Sequence, residues 1–181
     1  MRNKSLSNML LSALFLAMGI VLPILTMQIK EVGDTLLPMH LPVMLCGLIC
    51  GWKYGLAVGF LLPFLRSLLF SMPPLYPNAV WMAFELVAYG FTIGFMYARL
   101  NKRGIGAVYA SLVAAMIAGR VVWGVVKAFL LGVAGNAFTV QAFVVGGFVD
   151  ALPGIILQLV LIPAIFMIYQ KVFVKNTAGT K

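Results

Sequence analysis

Arg66 and Glu85 flank a proline-rich stretch in PFLRSLLFSMPPLYPNAVWMAFEL, residues 63–86, and each is embedded in an apolar run. Arg120 and Lys127 interrupt a later run in the same way, and Asp150 stands near the start of the last one. Fixed cations among apolar side chains suit an anionic group, and a nearby carboxylate suits a hydroxyl or an amide, so the chemistry on offer is that of small-molecule binding. An acid–base pair can be assembled from His40 with Glu85 or Asp150, although nothing in their spacing specifies it. The single histidine argues against a His-rich metal site and against a Ser-His-Asp constellation. Cys46 and Cys50 share a helical face but have no further Cys or nearby His to complete a zinc site, and they read as small core residues. No catalytic residue, metal ligand or cofactor is therefore assigned. No GxxxxGK[ST] phosphate loop occurs, so the chain does not hydrolyse ATP by itself.

The elements that carry these groups must be apolar helices. The chain has 181 residues, 63% hydrophobic and only 9% charged, with a mean hydropathy of +1.07, far outside the range of soluble domains. A span takes about 20 residues, so this length accommodates six spans with short connections in one domain, residues 1–181. Apolar stretches run over 6–27, 37–51, 53–70, 78–98, 107–134 and 146–170. They predict an all-α, polytopic membrane protein with six transmembrane helices. Only Gly51, Trp52 and Lys53 separate the second and third, which are read as two spans from their combined length of about 34 residues. Continuous apolar runs replace the alternation of a membrane barrel. The first run ends in LPILTMQ, with no small-x-small cleavage pattern, and is read as a retained helix rather than a signal peptide.

Orientation follows the thirteen basic residues. With the amino terminus cytoplasmic, Arg2, Lys4, Lys53, Arg99, Lys102, Arg103, Lys171, Lys175 and Lys181 all lie inside, and the outer loops hold only Lys30. Both termini are thus expected in the cytoplasm of a cell-membrane protein. The net charge of +9 is mostly topology, and nothing in it points to nucleic acid.

A helical rise of ~1.5 Å per residue then sets depths. Arg66 lies ~20 Å above Lys53, Glu85 ~10 Å below the outer surface, Arg120 ~20 Å up and Lys127 ~30 Å up. Arg66 and Glu85 are expected to meet at one level, Asp150 to be shallow, Gln158 to lie near the middle, and His40 to open the second helix at the interface. Asn78, Trp81, Glu85 and Tyr89 follow i, i+3, i+7, i+11 spacing, and Arg120, Trp123 and Lys127 follow i, i+3, i+7, so each set forms one stripe. The expected substrate-binding residues are Arg66, Asn78, Trp81, Glu85, Tyr89, Arg120, Trp123 and Lys127. Three cations against two carboxylates leave one surplus positive charge, which a carboxylate ligand neutralises. The structural alternatives are an Arg66–Glu85 ion pair tying helices together, an interfacial aromatic belt, and a snorkelling Lys127. Gly47, Gly51, Gly55 and Gly59 recur every four residues and permit close helix approach, within the chain or to a partner, as do Ala13 and Ala17. Pro73, Pro74 and Pro77 stiffen an outer loop that either covers the pocket or simply ends a helix.

His40-Leu-Pro-Val-Met-Leu-Cys-Gly-Leu-Ile-Cys-Gly-Trp-Lys-Tyr-Gly55, Pro63-Phe-Leu-Arg66-Ser and Met72-Pro-Pro-Leu-Tyr-Pro-Asn-Ala-Val-Trp-Met-Ala-Phe-Glu85-Leu together resemble the substrate-binding S component of energy-coupling factor vitamin transporters, most closely its pantothenate-type branch. The resemblance covers residues 40–98 in motif and nearly the whole chain in size and span number. It implies a non-enzymatic six-helix subunit that captures a vitamin from outside, associates with a transmembrane coupling subunit and two cytoplasmic ATPases, and topples in the lipid bilayer to deliver its cargo. The family's AxxxA surface, which meets the coupling subunit, maps onto Ala13 and Ala17. Its lid maps onto Gln28 to Pro38 and its second outer loop onto Ser71 to Pro77. Pocket residues vary with substrate in this family, so the binding residues above rest on depth and face alone. Two rival readings stay open: an intramembrane enzyme using His40 and Glu85, and a self-contained carrier or pore, for which no inverted repeat is evident.

Overall fold

The apolar runs fold into helices because only a helix satisfies its own backbone in hydrocarbon. A computed structural model describes residues 4–25, 36–100, 104–133, 135 and 139–174. In chain order the helices are α1 Lys4–Leu25, α2 His40–Cys50, α3 Trp52–Phe70, α4 Val80–Arg99, α5 Gly104–Val133, α6 Val140–Val149 and α7 Leu152–Tyr169. No strand occurs among the described residues. The protein is all-α and polytopic: α1, α3, α4, α5 and α7 are each long and apolar enough to cross a membrane. Arg2, Lys30, Lys102, Arg103, Lys175, Lys181 and most of the expected lid, Gln28 to Pro38, lie outside the described residues.

Two of the six expected spans take a different form. The second, α2, has only 11 residues, a length of ~16 Å against a hydrocarbon core of ~30 Å. It is buried along nearly its whole length and packs on α1, α3, α4 and α7, which makes it the inner helix of the bundle. Pro42 is tolerated there because it falls in the first turn, where backbone N–H groups have no helical partner in any case. The sixth stretch, expected as one helix over 146–170, is broken. Pro153 has no N–H to offer the Val149 carbonyl, so the chain turns at Asp150 and Ala151 and restarts as α7 with the proline in its first turn.

The glycine stripe is an internal seam. Gly47, Gly55 and Gly59 press against the α4 backbone: a methyl on Gly55 would stand 2.6 Å from the Gly90 carbonyl oxygen, and one on Gly59 2.5 Å from that of Leu86. Gly51 has another role. Its φ of +102°, in the region that favours glycine, reverses the chain between α2 and α3. Gly90 and Gly94 complete the seam from the α4 side, where a methyl on Gly90 would lie 2.3 Å from the Gly55 oxygen.

Ties at one end fasten the bundle. Asn8 donates to the Cys50 carbonyl at 3.4 Å and Tyr54 to the Ser5 carbonyl at 3.4 Å, joining the start of α1 to the α2–α3 turn. The Gln170 amide donates to the Tyr97 hydroxyl at 3.2 Å at that same end. Between the ends, Met44, Leu45, Leu62, Leu86, Ile93, Leu112 and Ile162 form the dry centre, with Cys46 and Cys50 as free, buried thiols.

Candidate substrate-binding site

The α4 and α5 stripes read from spacing face one another and meet in three layers. In the deepest layer, Tyr89 lies flush on Gly119, where a methyl would stand 2.2 Å from the tyrosine ring. In the middle layer, the Glu85 carboxylate accepts a hydrogen bond from Arg120 Nη1 at 3.1 Å and contacts His40 Nε2 at 3.3 Å. Nearest the α6 end, the Lys127 ammonium sits over the Trp123 ring at 4.5 Å and over Trp81 at 5.2 Å, a cation held between two π faces. Helical geometry dictates this arrangement. Residues at i, i+3 and i+7 share a face, and small Gly119 lets the two helices close up at Tyr89.

His40 links the layers from α2. Its ring meets Tyr89 edge-on at 4.9 Å between centroids while its Nε2 faces Glu85. It was expected at the interface, but it is only 2% exposed, because α2 begins inside the bundle. Over Trp123 lies α6, with Gly146 and Gly147 against the indole and the Phe143 ring 6.0 Å from it. Arg120 approaches the same indole, at 6.0 Å.

The expected meeting of Arg66 with Glu85 does not occur. Arg66 is buried on α3 and donates from Nη1 to the Ile20 carbonyl of α1 at 3.0 Å, with its guanidinium over Phe70 at 5.7 Å. Depth brought Arg66 and Arg120 equally close to Glu85; the azimuth of Glu85 on α4 selects Arg120. Asn78 and Trp81 are half-buried where the chain enters α4, and Asp150 is exposed. Glu85 is thus the buried carboxylate among the described residues, and Arg66 and Arg120 are the buried guanidinium groups.

Arg120 is only 4% exposed, and its Nε and Nη2 have no hydrogen-bond partner among the described residues. These two nitrogens share one edge of the planar guanidinium and point the same way, the fork that grips a carboxylate with two parallel bonds. The Glu85 bond uses the remaining nitrogen, Nη1. A buried donor left unmatched costs about 1–3 kcal/mol, more for a charged group. His40 Nδ1 and Gln158 Nε2 are the other buried side-chain nitrogens without a partner among the described residues. Gln158, on α7, was placed by depth near the middle of the bundle and was not assigned to the site. Among the described residues, no group of three or more His, Cys, Asp and Glu side chains could hold a metal ion.

Comparison with known proteins agrees with this architecture. The family model described as "ECF transporter, substrate-specific component" matches residues 7–166, and so takes in every helix that builds the layers. The curated proteins and the solved structures give no match. With a buried charged site inside an all-helical membrane bundle and a family match over most of its length, this chain belongs to the substrate-specific components of ECF transporters.

Proposed function

We propose that the protein is the vitamin-binding subunit of an energy-coupling factor importer, and that it captures a small anionic vitamin, with pantothenate the leading candidate. The observation that carries this reading is the Nε–Nη2 edge of buried Arg120, which no described residue pairs, while its third nitrogen is held by Glu85. In this reading the vitamin's carboxylate lies across that edge, Tyr89, Trp81 and Trp123 provide apolar walls, and Glu85 and Asn78 orient a hydroxyl or amide. Lys127, between its two indoles, adds positive potential. Arg66 acts at one remove, by fastening α1 to α3 through Ile20. Binding takes place from outside, with both termini in the cytoplasm. Ala13 and Ala17, exposed on α1, are the surface that meets a transmembrane coupling subunit driven by two ATPases, and delivery is by toppling.

Mass spectrometry of small molecules released from the purified, denatured protein tests this reading. The expected result is one unmodified carboxylate-bearing vitamin per chain; an absence of any such molecule, together with no binding of pantothenate, biotin or nicotinate, counts against it. The buried His40–Glu85 contact at 3.3 Å favours a second reading, acid–base catalysis within the membrane. Turnover of the retained molecule by the isolated chain distinguishes that reading from stoichiometric retention.

A further inference from the structure

Gln158 is 1% exposed, and its amide nitrogen has no hydrogen-bond partner among the described residues. It lies on the buried face of α7, in register with Gly154, Ile162 and Phe166. That face packs against α2 and α5, the helices that carry His40 and Arg120. A glutamine with a structural role in an apolar seam uses its amide donors, because an unmade bond there costs free energy without return. This one does not, and neither does the Arg120 fork nor His40 Nδ1. The orphaned groups therefore lie on α7 and on two helices it packs against: a charged, bidentate donor on α5 and a neutral donor on α7, with a histidine nitrogen on α2 that donates or accepts according to its tautomer.

We propose that Gln158 is a specificity-determining residue whose amide donates to a neutral acceptor of the substrate, a carbonyl or hydroxyl oxygen distinct from the carboxylate that Arg120 holds. This rests on the binding-subunit reading above and narrows it to carboxylates that also carry a neutral oxygen acceptor. A site built to hydrogen-bond such an oxygen discriminates against an analogue lacking it, since the buried donor is then left unpaired.

The test compares wild type with Gln158→Leu and Arg120→Ala in detergent. It uses the molecule identified by mass spectrometry and, as fixed probes, pantothenate and hexanoate, a carboxylate without a second oxygen function. The expected outcome is that Gln158→Leu weakens the retained molecule by about tenfold or more, the loss of one well-made hydrogen bond. Hexanoate binding stays within twofold. The ligand-free Gln158→Leu protein melts at the same temperature as wild type or higher, because a desolvated donor has been removed; a structural glutamine would show the reverse. If Arg120→Ala abolishes retention while Gln158→Leu stays within twofold, the role of Gln158 is refuted and the binding-subunit reading stands. A retained molecule with a carboxylate and no other oxygen function also refutes it. If wild type retains nothing and binds neither probe, both readings fall.

Discussion

Replacing Glu85 by glutamine tests how the site is held. The carboxylate is 3% exposed and satisfies Arg120 Nη1 at 3.1 Å and His40 Nε2 at 3.3 Å. Glu85→Gln keeps the volume and one acceptor oxygen but leaves the Arg120 guanidinium without a buried counter-ion among the described residues. Breaking a buried pair by removing one partner costs about 3–5 kcal/mol. At ~2–4 °C per kcal/mol for a chain of this size, the ligand-free protein should melt roughly 10 °C lower. Replacing both charges, as Glu85→Gln with Arg120→Met, removes the stranded cation, so the double variant should be no less stable than Glu85→Gln alone, with a coupling of about 2–3 kcal/mol. The assay is thermal or denaturant unfolding in detergent, read by tryptophan fluorescence, since Trp81 and Trp123 border the pair. A carboxylate ligand provides the missing countercharge, so its stabilising shift should be larger in Glu85→Gln than in wild type. Single-variant losses that simply add, or a Glu85→Gln loss below about 1 kcal/mol, would refute the reasoning.

Three further outcomes are expected. Gly90→Ala forces a methyl to 2.3 Å from the Gly55 carbonyl oxygen and should cost at least about 1–3 kcal/mol by overpacking, whereas Gly106→Ala, which meets open space within its helix, should be neutral or stabilising by up to ~1 kcal/mol; unfolding midpoints decide both. Arg66→Ala should loosen α1, which it holds through Ile20, so that protease cleavage near Leu25 accelerates several-fold while ligand affinity falls less than in Arg120→Ala. Ala13→Leu with Ala17→Leu, both on the exposed face of α1, should leave the unfolding midpoint and ligand retention unchanged and abolish co-purification with the coupling subunit.

Much of this side-chain arrangement was legible in the sequence, and what was not has a common cause. Hydropathy defines the membrane class, and i, i+3, i+7 spacing places Trp81 and Glu85 with Tyr89, and Arg120 with Trp123 and Lys127, on single faces that do meet. Counting residues along a helix yields depth but not azimuth, so Arg66 and Arg120 were indistinguishable as partners for Glu85. His40 was assigned to the interface because an apolar run marks where a helix begins without showing that α2 is short and enclosed by its neighbours. Gly90 and Gly94, in Gly-Phe-Thr-Ile-Gly, carried the same small-xxx-small signal as Gly55 and Gly59 and show that the seam closes within the chain. Pro153 was likewise a visible sign that the last apolar stretch divides. Gln158 gave only a depth in the sequence, since only a structure shows that its amide is buried with its donors unused.

The most direct measurement of the central claim is calorimetric titration of pantothenate, or of whichever carboxylate mass spectrometry finds retained, onto ligand-free wild type and Arg120→Ala. An unfilled guanidinium fork that receives a carboxylate predicts an affinity loss of about a hundredfold, near 2.7 kcal/mol, in the substituted protein. Affinities within twofold of each other would mean that the buried edge of Arg120 is not where the ligand's anionic group binds.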